Sequence, residues 1–149
     1  MTNAPPVVQL SRHFMPEAIV DIVIDTSALI AVLVGEPERS RIINLTTGKT
    51  LIGPGSIPWE VGNAFSVMFK HNRLSLDEAR KGFAIFESIP LRLIKPDFVN
   101  ALELSRQTGM YAYDAYMLDC AVRHKAPLLT LDRKLKAAAE EIDIEVMEV

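Results

Sequence analysis

Two short stretches of nearly uninterrupted aliphatic residues govern what this chain can fold into. They are "IVDIVI" at 19–24 and "LLTL" at 128–131, broken only by Asp21 and Thr130. A strand that is apolar on both faces must be covered on both, which calls for a parallel sheet between layers of helix. The first stretch runs straight into Asp25 and the second into Asp132. A carboxylate at the end of each of the most strand-like segments therefore needs a reason.

The rest of the pattern fits the same architecture. Shorter strands are predicted at 50–52, 92–94 and 144–147. Between them lie amphipathic segments with helix ends that can be named. Ser75-Leu-Asp-Glu78 is a capping box, and the helix it opens is predicted to stop before Pro90. On that helix Ala79, Phe83, Phe86 and Ile89 recur at three- and four-residue steps and form one apolar stripe. Asp97 opens another helix that ends near Gly109, a residue suited to a left-handed C-terminal position. Further helices are predicted at 27–33, 38–47, 58–70, 113–125 and 133–141. Alternating strand and helix gives a three-layer α/β/α sandwich around a mostly parallel, five-stranded sheet.

With 149 residues, one domain is expected over 19–149, preceded by a lead-in at 1–18 that has two adjacent prolines and no periodicity. Cys120 is the only cysteine, so no disulfide can form within the chain, which fits a reducing, cytoplasmic setting. Its apolar neighbours mark it as a small buried hydrophobe. No apolar run approaches the roughly 18 residues of a membrane span, so no membrane partner is expected. The net charge of −3 argues against an ordinary basic nucleic-acid-binding domain, unless several acids are gathered around cations.

Four acids stand in apolar company. Asp25 and Asp132 follow strands at the end where ligands of parallel sheets sit. Glu60, in "IPWEVGNAF", and Asp114, in "YAYDAYMLDCA", fall in the first turns of predicted helices, with apolar residues on their own faces. Each has an ordinary explanation alone: a helix cap for the first pair, a helix-dipole partner for the second. Together they would meet at one edge of the sheet, although 35, 54 and 18 residues separate them in turn. Carboxylates brought that close raise one another's pKa unless a cation is present. Oxygen-only ligands suit Mg²⁺ or Mn²⁺, and such a site handles phosphates. The histidines, His13, His71 and His124, lack ligand spacing and read as surface residues.

At these residues the sequence resembles the PIN-domain family, specifically the VapC-like toxins of toxin–antitoxin pairs. "VIDTSAL", "PWEVGNAF", "YDAYMLDCA" and "LLTLDRKL" look like its four acidic motifs, in order. The resemblance places the family's functional positions, and its metal ligands, on Asp25, Glu60, Asp114 and Asp132. Thr130 matches the polar residue two before the last acid; Ser27 and Asn63 match further polar positions. It implies Mg²⁺- or Mn²⁺-dependent hydrolysis of RNA phosphodiesters to 5′-phosphate and 3′-hydroxyl ends. It also implies a homodimer and a cognate VapB-like antitoxin.

Three basic groups could line an RNA path: Lys70-His71-Asn72-Arg73 with Arg80-Lys81, Arg123-His124-Lys125, and Arg133-Lys134 with Lys136. Tyr111, Tyr113 and Tyr116 cluster around Asp114, where one could stack on a base. Trp59, Phe65, Phe69, Phe83 and Phe86 are dense enough to suggest dimer and antitoxin surfaces as well as core. Two other readings keep an acid at the first strand's end. A phosphoryl-accepting domain of the receiver or haloacid-dehalogenase type lacks its further motifs here, since position 27 is Ser and not Asp. An inactive binding module on the same fold would not need all four acids.

Overall fold

The computed structural model describes residues 20–149, so the lead-in at 1–18 and residue 19 lie outside the described residues. Among the described residues there are four parallel strands: β1 (Asp21–Ile24), β2 (Thr50–Pro54), β3 (Leu91–Ile94) and β4 (Leu128–Leu129), in the order β3-β2-β1-β4. Ile22, Val23 and Ile24 are all buried, as the two-sided apolar pattern of β1 requires. The β3 edge is more open, with Leu93 exposed.

Seven helices among the described residues flank the sheet: α1 (Thr26–Val34), α2 (Arg39–Thr46), α3 (Ile57–Lys70), α4 (Leu76–Ser88), α5 (Phe98–Thr108), α6 (Ala112–His124) and α7 (Arg133–Glu141). Their ends follow local chemistry. The capping box opens α4, with Ser75 accepting from the Glu78 amide and Glu78 accepting in return from the Ser75 amide. Asp97 accepts from the Asn100 amide at the start of α5, and Gly109 closes that helix at φ 75°. Helix α6 packs against β1 and β2 and carries α5 on its outer side, while α1 packs on α2, α3 and α4. Gly82 lets α4 approach closely: a Cβ there would stand 3.1 Å from the Phe65 ring.

The expected fifth strand, 144–147, does not form as a strand. It meets β4 through one parallel bridge, Leu128 to Val146, with backbone bonds from Leu128 N to Glu145 O and Met147 N to Leu128 O. The cause is that β4 itself stops two residues sooner than the apolar run. Beyond Leu129 the backbone leaves the ladder, because the Leu131 amide donates to Ser27 Oγ at 2.9 Å and the Asp132 amide to Thr130 Oγ1 at 3.0 Å. The strand gives up its ladder to lock onto the start of α1.

A buried charge on α6 escaped the sequence analysis. Asp119 has no exposed surface. Its carboxylate takes two bonds from the Arg123 guanidinium, both at 2.9 Å, one from Asn100 Nδ2 at 2.8 Å and one from the Asp97 amide at 3.1 Å. Arg123 continues to the Lys95 carbonyl. The network ties α6 to the β3–α5 connection, and it removes Arg123 from the basic groups read as an RNA path. Lys136 is likewise engaged, by Glu148 at 3.2 Å. His124 is half-buried and not a surface residue; its Nε2 has no hydrogen-bond partner among the described residues. Cys120 is buried, and burial pushes its thiol pKa up to about 12, so it packs as a hydrophobe.

Candidate active site

Strand order reverses direction between β1 and β4: β2 and β3 lie on one side of β1, and β4 on the other. The crevice at the carboxyl ends of these two strands is where open parallel sheets place their ligands. Asp25 follows β1 and Asp132 follows β4, so both strand-end acids open onto it.

Asp25 is only 4% exposed and is held from three directions. Its Oδ1 accepts from Ser27 Oγ at 2.7 Å and from the Ala28 amide at 3.0 Å, which caps α1. Its Oδ2 accepts from Thr130 Oγ1 at 2.6 Å. Ser27 and Thr130 also approach each other to 3.4 Å. Each has already given its one hydroxyl proton to Asp25, so that approach is contact without a hydrogen bond. A carboxylate offers about four lone-pair positions. Three are filled, and the remaining one is on Oδ2.

The other three acids keep more of their capacity. Asp132 Oδ1 caps α7 by accepting from the Lys134 and Leu135 amides, and Oδ2 accepts no hydrogen bond among the described residues. Glu60 Oε2 accepts from Ser56 Oγ at 2.8 Å, and Oε1 accepts no well-formed hydrogen bond among the described residues. Asp114, half-buried in the first turn of α6, accepts no hydrogen bond among the described residues. The ordinary cap role is therefore real for Asp25 and Asp132, and it occupies only part of each carboxylate.

The acids lie in one another's field. Burial raises the pKa of Asp25, opposed by the bonds from Thr130, Ser27 and Ala28, and the charge of Asp132 raises it further. Glu60 is raised by burial and further by the charges of Asp114 and Asp25, while the Ser56 and Thr26 hydroxyls oppose the rise. Asp114 is raised by burial and by Asp132. Among the described residues, no lysine or arginine forms an ion pair with any of the four.

An all-carboxylate set without a countercharge fits a hard divalent cation. Thr26 Oγ1 is buried beside this set, near enough to Glu60 to favour its ionised form. As the side chains stand, no three acids among the described residues are close enough together to hold one ion. Two cavities flank the acids. One, of about 510 Å³, is lined by Thr26, Trp59, Glu60, Asn63, Ala64 and Tyr113. The other, of about 420 Å³, includes Thr26, Ser27 and Arg73. Residues from the first turns of α1, α3 and α6 line the first cavity, and α3 adds Asn63 and Ala64 from its second turn.

The aromatic residues divide among different places. Phe65 and Phe86 are core. Phe69 and Phe83 line an apolar groove of about 470 Å³ between α3 and α4. Trp59 stands apart from them, in the cavity beside Glu60.

A sandwich of helices about a parallel sheet, with carboxylates at its switch point, is an architecture shared by several enzyme classes. The comparisons decide among them: the PIN domain family model matches residues 22–141, and the chain belongs to that family. Sequence comparison with curated proteins finds no match. Among solved structures, the chain is similar to PAE2754 from Pyrobaculum aerophilum, at 26% identity and TM-score 0.61, over 80% of this chain and 86% of that one. It shares the fold of VapBC2 from Rickettsia felis, bound to a DNA fragment from the promoter, at 16% identity and TM-score 0.61, over 87% of this chain and 98% of that one. It shares it also with a toxin–antitoxin complex from Klebsiella pneumoniae, at 20% identity and TM-score 0.52, over 78% of this chain and 90% of that one.

Proposed function

We propose that this chain is a VapC-like toxin: a Mg²⁺- or Mn²⁺-dependent endoribonuclease that a protein antitoxin restrains. The observation that carries the reading is the shared field of Asp25, Glu60, Asp114 and Asp132, which no lysine or arginine among the described residues pairs with. The free lone pair on Asp25 Oδ2, Glu60 Oε1, Asp132 Oδ2 and the unbonded Asp114 carboxylate would hold the ion. A divalent cation there supplies Lewis-acid stabilisation of the phosphoryl oxygens and lowers the pKa of an attacking water. The absence of hydrogen bonds leaves Asp114 free to turn inward and complete the set. Thr130 acts as a positioning residue, since its buried hydroxyl orients Asp25 and binds the Asp132 amide. Of the basic residues outside the ion pairs found among the described residues, Arg73 beside the site and Arg133 and Lys134 at the start of α7 would track the RNA backbone.

The toxin assignment rests on the family, together with the toxin–antitoxin complexes whose fold is shared. We assign the α3–α4 groove to an apolar segment of the antitoxin, expect a homodimer, and place the protein's work in the cytoplasm. No helix among the described residues is long and apolar enough to cross a membrane. A phosphoryl-accepting role finds no support: Asp25 is buried and both its oxygens are hydrogen-bonded, which suits a fixed ligand and not an attacking nucleophile.

The test is cleavage of single-stranded RNA with Mg²⁺ or Mn²⁺, against Asp25→Asn and Asp114→Asn. The account expects each variant to fold and to lose at least about a hundredfold in kcat/KM. Folded variants that cut as fast as wild type would end it.

A further inference from the structure

The 510 Å³ cavity beside the acids has features that metal ligation leaves unexplained. Trp59 is 73% exposed and Tyr113 53% exposed, although both are large aromatic side chains. Each comes immediately before a site acid, Trp59 before Glu60 on α3 and Tyr113 before Asp114 on α6. They line the same cavity from two different helices. Tyr113 is held edge-on against Tyr116, with ring centres 5.8 Å apart, and Tyr116 against Phe98 at 5.7 Å. That chain of rings fixes the direction of an exposed tyrosine before anything binds. Asn63, one turn beyond Trp59 on α3, brings an exposed amide to the same cavity.

We infer that this cavity is a nucleobase subsite, in which Trp59 and Tyr113 stack an unpaired base of the RNA next to the bond being cut. The inference rests on the ribonuclease reading and adds how the substrate is held. Stacking on aromatic faces tolerates any base and requires an unstacked one, so it selects single-stranded or looped RNA over duplex. Asn63 supplies both a donor and an acceptor to the base edge, the pairing by which asparagine distinguishes bases. Adjacency to Glu60 and Asp114 means that seating the base also sets the neighbouring phosphodiester at the acids. The phosphodiester is then positioned by binding energy gathered away from the reacting atoms.

Trp59 is the only tryptophan in the chain, so its fluorescence reports on this cavity alone. The experiment uses the Asp114→Asn protein, to prevent cutting, and a short single-stranded RNA. Trp59 emission is expected to be quenched on binding. Trp59→Ala and Tyr113→Ala should each weaken binding by roughly 5- to 100-fold, and Trp59→Phe by much less. In the otherwise wild-type protein, oligonucleotides with one nucleotide at a time made abasic should reveal one position that costs about tenfold or more in kcat/KM. The same abasic position should cost Trp59→Ala little, because its partner is already gone. RNA that is bound and cut while Trp59 emission stays constant, or abasic penalties equal in both proteins, would overturn the subsite and leave the ribonuclease intact. Quenching by the antitoxin or by self-association, and not by RNA, would overturn it in favour of a protein interface. A protein that neither binds nor cuts any RNA would remove the ribonuclease reading together with the subsite.

Discussion

Thr130 donates its hydroxyl proton to Asp25 Oδ2 across 2.6 Å, although 105 residues separate them in the chain. The bond joins the ends of two neighbouring strands. It lowers the Asp25 pKa, working against the burial that raises it. Removing the donor while keeping the shape, as in Thr130→Val, should therefore push Asp25 further up. The ionised carboxylate is the form that binds a cation, so the acid limb of the cleavage pH profile should move to higher pH. Thr130→Ser should restore it. A Thr130→Val profile superimposable on wild type would show that the hydroxyl only packs.

The burial of the acids, reinforced by their mutual repulsion, predicts an unusual stability effect. Asp25, Glu60 and Asp114 all have folded pKa values above their ordinary ones, 3.8 for the aspartates and 4.5 for the glutamate. A raised acid binds its proton more tightly when folded. Its ionisation therefore destabilises the fold, fully above the folded pKa and progressively less as pH falls through it. Asp114→Asn removes one such charge and breaks no recorded hydrogen bond. At pH 7, without divalent ions, it should melt above wild type, by about 1–2 °C because Asp114 is half open to solvent. The gap should narrow as the pH falls through the raised folded pKa and close below the ordinary aspartate value of 3.8, where folded and unfolded states are both protonated. Thermal melts at the two pH values check the sign, and a variant that melts lower at pH 7 contradicts it.

Millimolar Mg²⁺ or Mn²⁺ should reverse that order. The cation binds the folded wild type and raises its melting temperature by mass action, about 4–8 °C at 30 times the dissociation constant. Asp114→Asn should lose most of the gain. Melting temperatures that ignore both ions in both proteins would count against a cation site.

The Asp119 network predicts a conventional loss. Asp119→Ala strips Arg123, Asn100 and the Asp97 amide of their shared partner. Breaking a buried, hydrogen-bonded ion pair costs about 3 kcal/mol, or roughly 6–12 °C in a protein of this size. Urea unfolding of the variant measures it. A loss under about 1 kcal/mol would mean that water replaces the carboxylate at little cost.

What the sequence disclosed was mostly local in cause. The capping box of α4, the Asp97 and Gly109 ends of α5 and the two-sided apolar β1 are set by neighbours in the chain. The extent of β4 depends on Leu131 finding Ser27, a partner 104 residues away, so apolarity alone overran the strand by two residues and promoted 144–147 to a fifth. Asp119 carried a visible signal, an arginine four residues on within an apolar helix, but its burial depends on α5 packing over α6. Trp59 was grouped with nearby phenylalanines by density, whereas its position at the start of α3 turns it toward Glu60. Arg123 and Lys136 read as free cations because their acidic partners are brought to them by helical turns and by the packing of 148 against α7.

The central claim is that four carboxylates, distant in sequence, act as one cation site. Calorimetric titration of the wild type with Mn²⁺, repeated for Asp25→Asn, Glu60→Gln, Asp114→Asn and Asp132→Asn, measures it most directly. The account predicts saturable binding at millimolar concentration or below in the wild type, weakened about tenfold or more by each substitution. A wild type that takes up no Mn²⁺, or single variants that bind it as tightly as the parent, would contradict it.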